Sequence, residues 1–201
     1  FGHSGFRIRG IGGNRTAVVI DQIPVADYFA VGTYSNTGRG LLELGLAGRV
    51  EILRGPASTL YGSKALGGVV AVHLLDADDV LTSENYGTRL QFGVNGDSHR
   101  AKAMAATAFA NNDSQLMIAA ATQYGEDVRS EGLDSDKRDR QHRRQQAVLI
   151  RAATDSSWGQ WRGTLDLQSE SRDTDIRSVI GSGRLASTTS LKGYDSRDQY
   201  R

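Results

Sequence analysis

The sequence predicts a mainly β chain, with a small mixed α/β domain over residues 1–79 and antiparallel amphipathic strands over residues 80–201. Three observations carry that prediction. Glycine supplies 24 of 201 residues against only 2 prolines, and in the first part it punctuates short Val/Ile runs, the pattern of brief strands joined by turns. From Tyr86 onward, apolar and polar residues alternate over segments of about ten. No run approaches the ~20 apolar residues of a membrane helix; the most apolar stretch, Ala65 to Leu75, is short and interrupted by two glycines and a His.

In chain order, Gly5 to Gly10, Thr16 to Asp21, Val50 to Leu53 and Val69 to Leu74 read as short strands. Ala26 to Gly40 is polar and aromatic and reads as a loop. Leu41 to Leu46 and Ala57 to Lys64 read as helical turns, each set between a Gly or Pro and a strand. After Asp76-Ala77-Asp78-Asp79 the rhythm changes. Tyr86, Thr88, Leu90, Phe92 and Val94 share one parity, with Gly87, Arg89, Gln91, Gly93 and Asn95 on the other. Leu116 to Tyr124 and Val148 to Ala152 repeat that two-faced pattern, as do Trp161, Leu165 and Leu167 against Arg162, Thr164, Asp166, Gln168 and Glu170. Ala101 to Ala110, with six alanines, suits a helix as well as a strand. Asp97 to Arg100, Asn111 to Ser114 and Thr154 to Gly159 are short connections, whereas Gly125 to Arg144 is long and charged. Short turns alternating with a long polar loop is the outer-membrane barrel pattern, and Tyr86, Phe109, Tyr124, Trp158 and Trp161 sit where interfacial girdles occur. A soluble antiparallel sandwich alternates in the same way, so alternation alone leaves both architectures open.

Charge and composition exclude several functions. Lys+Arg number 24 and Asp+Glu 23, leaving +1, without the clustered basic excess of a nucleic-acid-binding domain. Hydrophobic residues make up 38%, and the absence of Cys removes disulfides and thiolate metal sites. Gly10, Gly12 and Gly13 fail the GxGxxG fingerprint because Arg15 takes its third glycine, and Gly55 to Lys64 fails the phosphate-loop pattern because Lys64 is one residue out of register. His3, His73, His99 and His142 lack metal-ligand spacing, Asp134 and Asp136 do not continue into a calcium loop, and no Ser stands in a nucleophile elbow. No catalytic or metal site is expected. Glu126 to Arg144 places five acids before the basic cluster Lys137, Arg138, Arg140, Arg143 and Arg144. Such a run is a solvated surface loop or a contact for an anionic partner such as lipopolysaccharide phosphates.

Two segments carry a specific resemblance. Phe6 to Asp21 (FRIRGIGGNRTAVVID) and Arg49 to Val70 (RVEILRGPASTLYGSKALGGVV) resemble the plug domain of TonB-dependent outer-membrane receptors. The second segment holds VEILRGPAS, LYGS and ALGGVV in order and without gaps, and the two-faced strands that follow match what that family shows next. The resemblance implies a plug at 1–79 and the start of an outer-membrane β-barrel at 80–201, with five or six strands of a barrel that in the family has 22. The start FGHSGFRIRG, without Met or leader, reads as a truncation. Signal peptide, TonB box and remaining barrel are then expected outside this sequence.

Further implications belong to the resemblance alone. The Arg of the I-R-G motif and the Arg of R-G-P lie against acidic barrel residues in the family; these resemble Arg9 and Arg54, with Glu51 bracing the same cluster. The loop after Asp21 rises toward the ligand, which makes Asp27, Tyr28, Phe29, Tyr34 and Asn36 the candidate contacts. Their aromatic rings either stack on a planar ligand or pack the loop against the wall. Family members usually carry Gly after V-I-D, where this chain has Gln22. I-G-G-N-R and the GPASTLYGSKALGGVV run are most similar to the haem and haemoprotein receptor branch. The implied function is active import of haem or haemoprotein-derived iron, with ferric siderophores, cobalamin or a binding-only surface receptor as alternatives. Haem or a ferric chelate would be cargo, with no prosthetic group. The implied partners are the TonB energy-transducing complex, the extracellular ligand, and outer-membrane lipid and lipopolysaccharide, in a Gram-negative outer membrane.

Overall fold

The chain divides into two compact units, Phe1–Asp79 and Val80–Arg201. A computed structural model describes residues 6–26, 29–31, 35–37, 44–96, 99–126, 139–177, 180–181 and 183–201.

The first unit is built on a four-stranded mixed sheet. β1 (Thr16–Ile20) and β6 (Gly68–Leu74) run parallel at its centre, β2 (Ile23–Pro24) flanks β1, and β5 (Ala47–Arg54) flanks β6, both antiparallel. Every residue of β1 is buried, as is most of β6. This explains why TAVVI and VVAV are near-continuous apolar runs: a central parallel pair is covered on both faces. On one face Ala17, Val19 and Val69 pack with Ala57 and Ala65. Those last two flank the single-turn helix α1 (Ser58–Tyr61). β5 is an edge strand and is exposed along almost its whole length.

Two turns shape this unit. Asp21 (φ 47°) and Gln22 (φ 68°) connect β1 to β2 with Ile20 opposite Ile23, which is a two-residue type I′ connection. Gln22 adopts the left-handed conformation that the family's usual Gly would take without cost. Asp21 ties the turn to β6, its N–H donating to the Val72 carbonyl at 2.9 Å and its Oδ1 accepting from the Leu74 N–H at 3.1 Å. Of the segment Gly5 to Gly10, expected as a strand, the described residues from Phe6 form only an isolated bridge, between Ile8 and Ile11. Arg9 and Gly10 at positive φ turn the chain back after one pair, so no strand propagates.

The stretch 26–40, expected as a loop, contains a small hairpin, β3 (Phe29–Val31) paired with β4 (Ser35–Thr37). Leu44–Leu46 forms a 3-10 turn inside the expected helical stretch.

The second unit is one antiparallel sheet of six described strands in sequence order. They are β7 (Tyr86–Asn95), β8 (Arg100–Ala110), β9 (Ser114–Glu126), β10 (Arg140–Ser156), β11 (Gly159–Asp175) and β12 (Lys192–Tyr200). β7 and β12 are its edges. Ala101 to Ala110 is therefore strand, because Ala101 to Phe109 pair with both β7 and β9 and Ala110 pairs with β9, and pairing outweighs alanine's helix propensity. At the β8–β9 turn, Asn111 Oδ1 accepts from the N–H groups of Asp113 (3.0 Å) and Ser114 (2.7 Å). β9 continues to Glu126 and β10 begins at Arg140, which shortens the expected long charged loop at both ends. No helix among the described residues is long and apolar enough to cross a membrane, which says nothing about crossing by strands.

Candidate functional site

The sheet of the second unit is inverted relative to a water-soluble protein. Its outward parity exposes Leu90 (63%), Phe92 (76%) and Val94 (90%) on β7, and Ile118, Val148, Leu165 and Trp161 on β9 to β11. Its opposite parity buries Gln145, Arg151, Asp166, Gln168, Glu170 and Arg172 on β10 and β11, beside Met104, Met117, Leu149 and several alanines. Water-soluble folding would bury the first set and solvate the second. An apolar outer face over a polar inner one is the arrangement of a strand sheet in lipid.

Cross-strand register gives the apolar face definite limits. At one end Tyr86, Phe109 and Leu116 lie side by side, with Tyr86 and Phe109 ring centroids 5.3 Å apart. At the other end Val94, Ala101 and Tyr124 form a row that continues into Arg144. Eight residue steps at ~3.4 Å, tilted ~45°, give a band of roughly 19 Å, within the ~25 Å of outer-membrane barrels. Beyond that limit the outward side chains turn polar, and Arg140, His142, Asp173, Lys192 and Tyr194 line a recess of about 460 Å³.

The covered face carries a network of charges positioned by β10, β11 and the chain end. Glu170, 3% exposed, is ion-paired with two arginines: Arg143 Nε lies 3.0 Å and Arg172 Nη2 2.6 Å from its Oε1. Arg143 Nη2 reaches Glu170 Oε2 at 3.3 Å and Gln145 Oε1 at 2.9 Å. Asp166, 2% exposed, holds Arg201 at 2.9 Å and accepts from Gln168 Nε2. Alternation already placed Asp166, Gln168 and Glu170 on the polar face. Their partners follow only from register, which puts Gln145 and Arg197 on either side of Glu170.

The motif arginines sit in the first unit. Arg9 stands at the apex of the Ile8–Ile11 turn, where two backbone bonds of 2.9 Å close the pair. Arg54 ends β5 opposite Gly68. Both are exposed, and none of the ion pairs among the described residues involves either one. Glu51 is brought together with Arg49 (3.0 Å) and, across the β5–β6 pair, with His73 (3.6 Å). With Arg49 66% and Glu51 56% exposed, solvent screening leaves such a pair about 0–1 kcal/mol.

Of the candidate ligand contacts, Phe29 begins β3 opposite Thr37, and Asn36 lies in β4 opposite Ala30. Asp27, Tyr28 and Tyr34 lie outside the described residues. Among the described residues, no group of three or more His, Asp or Glu is placed to hold a metal ion.

Comparison with known proteins agrees with this geometry. Residues 1–69 match the family model of the TonB-dependent Receptor Plug Domain. Hemoglobin-haptoglobin-binding protein A of Haemophilus influenzae is 36% identical over 105 residues, 47% of this chain and 10% of that protein. The hemin receptor of Yersinia pestis is 42% identical over 73 residues, 36% of this chain and 11% of that protein. This chain thus spans about a tenth of the length of the curated relatives it matches. Those relatives are receptors and binding proteins, and none of the matches described is an enzyme. The FrpB iron transporter from Neisseria meningitidis has the same fold, with a TM-score of 0.70 over 98% of this chain and 31% of that one, at 17% identity. Plug motif, inverted strand sheet, relatives and fold converge: residues 1–69 match the TonB-dependent receptor plug domain, and the chain as a whole has the fold of a TonB-dependent iron transporter.

Proposed function

We propose that this chain serves a receptor that imports haem, free or taken from a haemoprotein, across a Gram-negative outer membrane. The observation that carries the reading is that similar proteins are named for hemin, hemoglobin or hemoglobin-haptoglobin. Residues 1–79 act as the plug and residues 80–201 as barrel wall, whose exposed apolar band meets lipid. Short turns at Asn111–Asp113 and Ser157–Trp158 mark the periplasmic end, and the 127–139 connection the extracellular end, following the rule for such barrels.

The work done is binding and translocation, without bond-making chemistry and without a resident prosthetic group. Asp27, Tyr28, Phe29, Tyr34 and Asn36 make the apical contact for the ligand, a set whose aromatic residue types suit stacking on a planar macrocycle. Arg9 and Arg54, exposed and without ion-pair partners among the described residues, act as anchors for carboxylates of the barrel wall. Energy comes from the TonB complex, which rearranges the plug.

The test is growth of a haem-auxotrophic, receptor-deficient Gram-negative strain expressing the receptor. Growth on hemin or hemoglobin that disappears when TonB is deleted is the expected result. Growth on a ferric siderophore but not on hemin would overturn the haem reading, and hemin uptake unaffected by deleting residues 28–36 would overturn the hairpin assignment.

A further inference from the structure

Beyond the apolar band, the outward side of the second unit carries a charged recess. Register stacks three outward rows there: Tyr124, Arg144 and Ser171; then Glu126, His142, Asp173 and Tyr194; then Arg140, Asp175 and Lys192. On β10 and β11 these positions share the parity of Val148 and Leu165, exposed side chains of the band. Arg140, His142, Asp173, Lys192 and Tyr194 line the recess of about 460 Å³, a volume within the ~300–1,000 Å³ of small-ligand sites. β10 at His142 and β11 at Asp173 are each paired on both sides, so neighbouring strands fix the outward aim of this row.

The charges of these rows do not cancel. Glu126 faces His142 at 3.8 Å, and Asp175 holds Arg177, whose Nη2 lies 2.8 Å away. None of the ion pairs among the described residues involves Arg140, Arg144 or Lys192. Those three cations, all exposed, are left against one exposed carboxylate, Asp173. The height is equally definite. The Tyr124–Arg144 row closes the apolar band at the long-connection end. Two and four further residue steps at ~3.4 Å, tilted ~45°, raise His142 and Arg140 about 5 and 10 Å above that row. A headgroup layer of roughly 5–8 Å borders the hydrocarbon on each side of a bilayer, and long basic side chains at that level lay their stems on apolar surface and hold their charge among the headgroups.

We infer that Arg140, Arg144 and Lys192, with Asp173, form an outer-face site for the phosphorylated sugar headgroup of lipopolysaccharide. The residue types match the two halves of that headgroup. Guanidinium and ammonium groups donate to phosphate oxygens, and the Asp173 carboxylate accepts from sugar hydroxyls. A plain anion would be repelled by Asp173, and a ligand bound for the interior would meet the opposite parity of the sheet. Binding is ionic and hydrogen-bonded, and no bond is made or broken. The inference rests on the orientation given above, with the 127–139 connection outside, and is independent of which cargo the receptor imports.

The test measures lipid binding to the full-length receptor in detergent by native mass spectrometry. Three probes are compared: deep-rough lipopolysaccharide, the same lipid after enzymatic dephosphorylation, and phosphatidylglycerol. The native receptor should bind the phosphorylated lipopolysaccharide about tenfold or more tightly than either other lipid, the size of a charge-assisted contact. The double variant Arg140→Gln/Arg144→Gln should lose most of that preference, and Arg140→Lys/Arg144→Lys should keep part of it. Equal affinity of the native receptor for the phosphorylated and dephosphorylated forms would overturn the proposal without recourse to any variant. So would a glutamine variant that keeps the full preference, and equal affinity for phosphatidylglycerol would overturn the sugar-headgroup assignment. An epitope tag inserted after Ser130 should bind antibody on intact cells. A tag reached only once the outer membrane is opened would instead overturn the orientation on which this site stands.

Discussion

Gly68 gives the sharpest energetic forecast. It opens β6 at φ 143°, opposite Arg54, and a Cβ built there would lie 2.3 Å from the Leu53 carbonyl oxygen and 2.8 Å from Ile8 Cδ1. The Ile8 methyl belongs to a side chain and yields. The Leu53 oxygen belongs to the neighbouring strand and moves only if β5 separates from β6. Ordinary carbon–oxygen contact needs about 1 Å more, which breaks the first ladder bonds, each about 1 kcal/mol. The backbone conformation adds about 1–3 kcal/mol for any L side chain. Gly68→Ala should therefore cost about 3–5 kcal/mol, at the extreme of single substitutions. Gly10 is the control, with φ 82° but no atom within 4 Å of its Cβ position; Gly10→Ala should cost only the conformational share, about 1–2 kcal/mol. Native-state hydrogen exchange at the amides of Val69 to Val72 reads both values. Equal costs for the two substitutions would refute the steric argument, since only the conformational share is common to them.

Two further outcomes follow from turn and lipid chemistry. Gln22→Gly should slow exchange of the Ile20 and Ile23 amides, because removing a left-handed non-glycine residue returns about 1–2 kcal/mol against about 0.5–1 kcal/mol of added chain entropy; faster exchange would contradict the type I′ assignment. Leu90→Arg, at the middle of the apolar band and 63% exposed, should lower folding stability in bilayers by about 2–4 kcal/mol. In urea titrations from lipid vesicles, a neutral result would mean that this face does not meet lipid.

What the amino-acid order made legible depended on range. β1 and β6 were readable because burial on both faces leaves uninterrupted Val/Ile runs, and β7 because its parity is clean from Tyr86 to Val94. The plug assignment rested on a contiguous motif, VEILRGPAS through ALGGVV. Local signals failed where pairing decides the outcome. Ala101 to Ala110 has a helical composition and becomes strand only because both neighbours bond to it. The β3–β4 hairpin is three residues a side, too short for periodicity to register. Gly5 to Gly10 looks extended in composition, yet Arg9 and Gly10 reverse it after one bridge. For the polar face, alternation placed Glu170 on the correct side and stopped there. That Arg143, Arg172 and Arg197 converge on it depends on register set by the connections 157–158 and 176–191, information distributed over more than fifty residues.

The inverted sheet changes how variation in this protein should be interpreted. In a water-soluble domain, an exposed Phe or Leu is the position most forgiving of a polar replacement, and a buried Gln is often replaceable by an apolar residue of similar volume. Along β7 to β11 both expectations reverse: sites such as Phe92, Val94 and Ile118 would admit almost any greasy side chain, while Gln145, Gln168 and Glu170 would reject one. Tolerance scores trained on soluble folds would therefore rank the harmful and harmless substitutions of this chain in nearly opposite order from residue 86 onward, and agree with observation only before it.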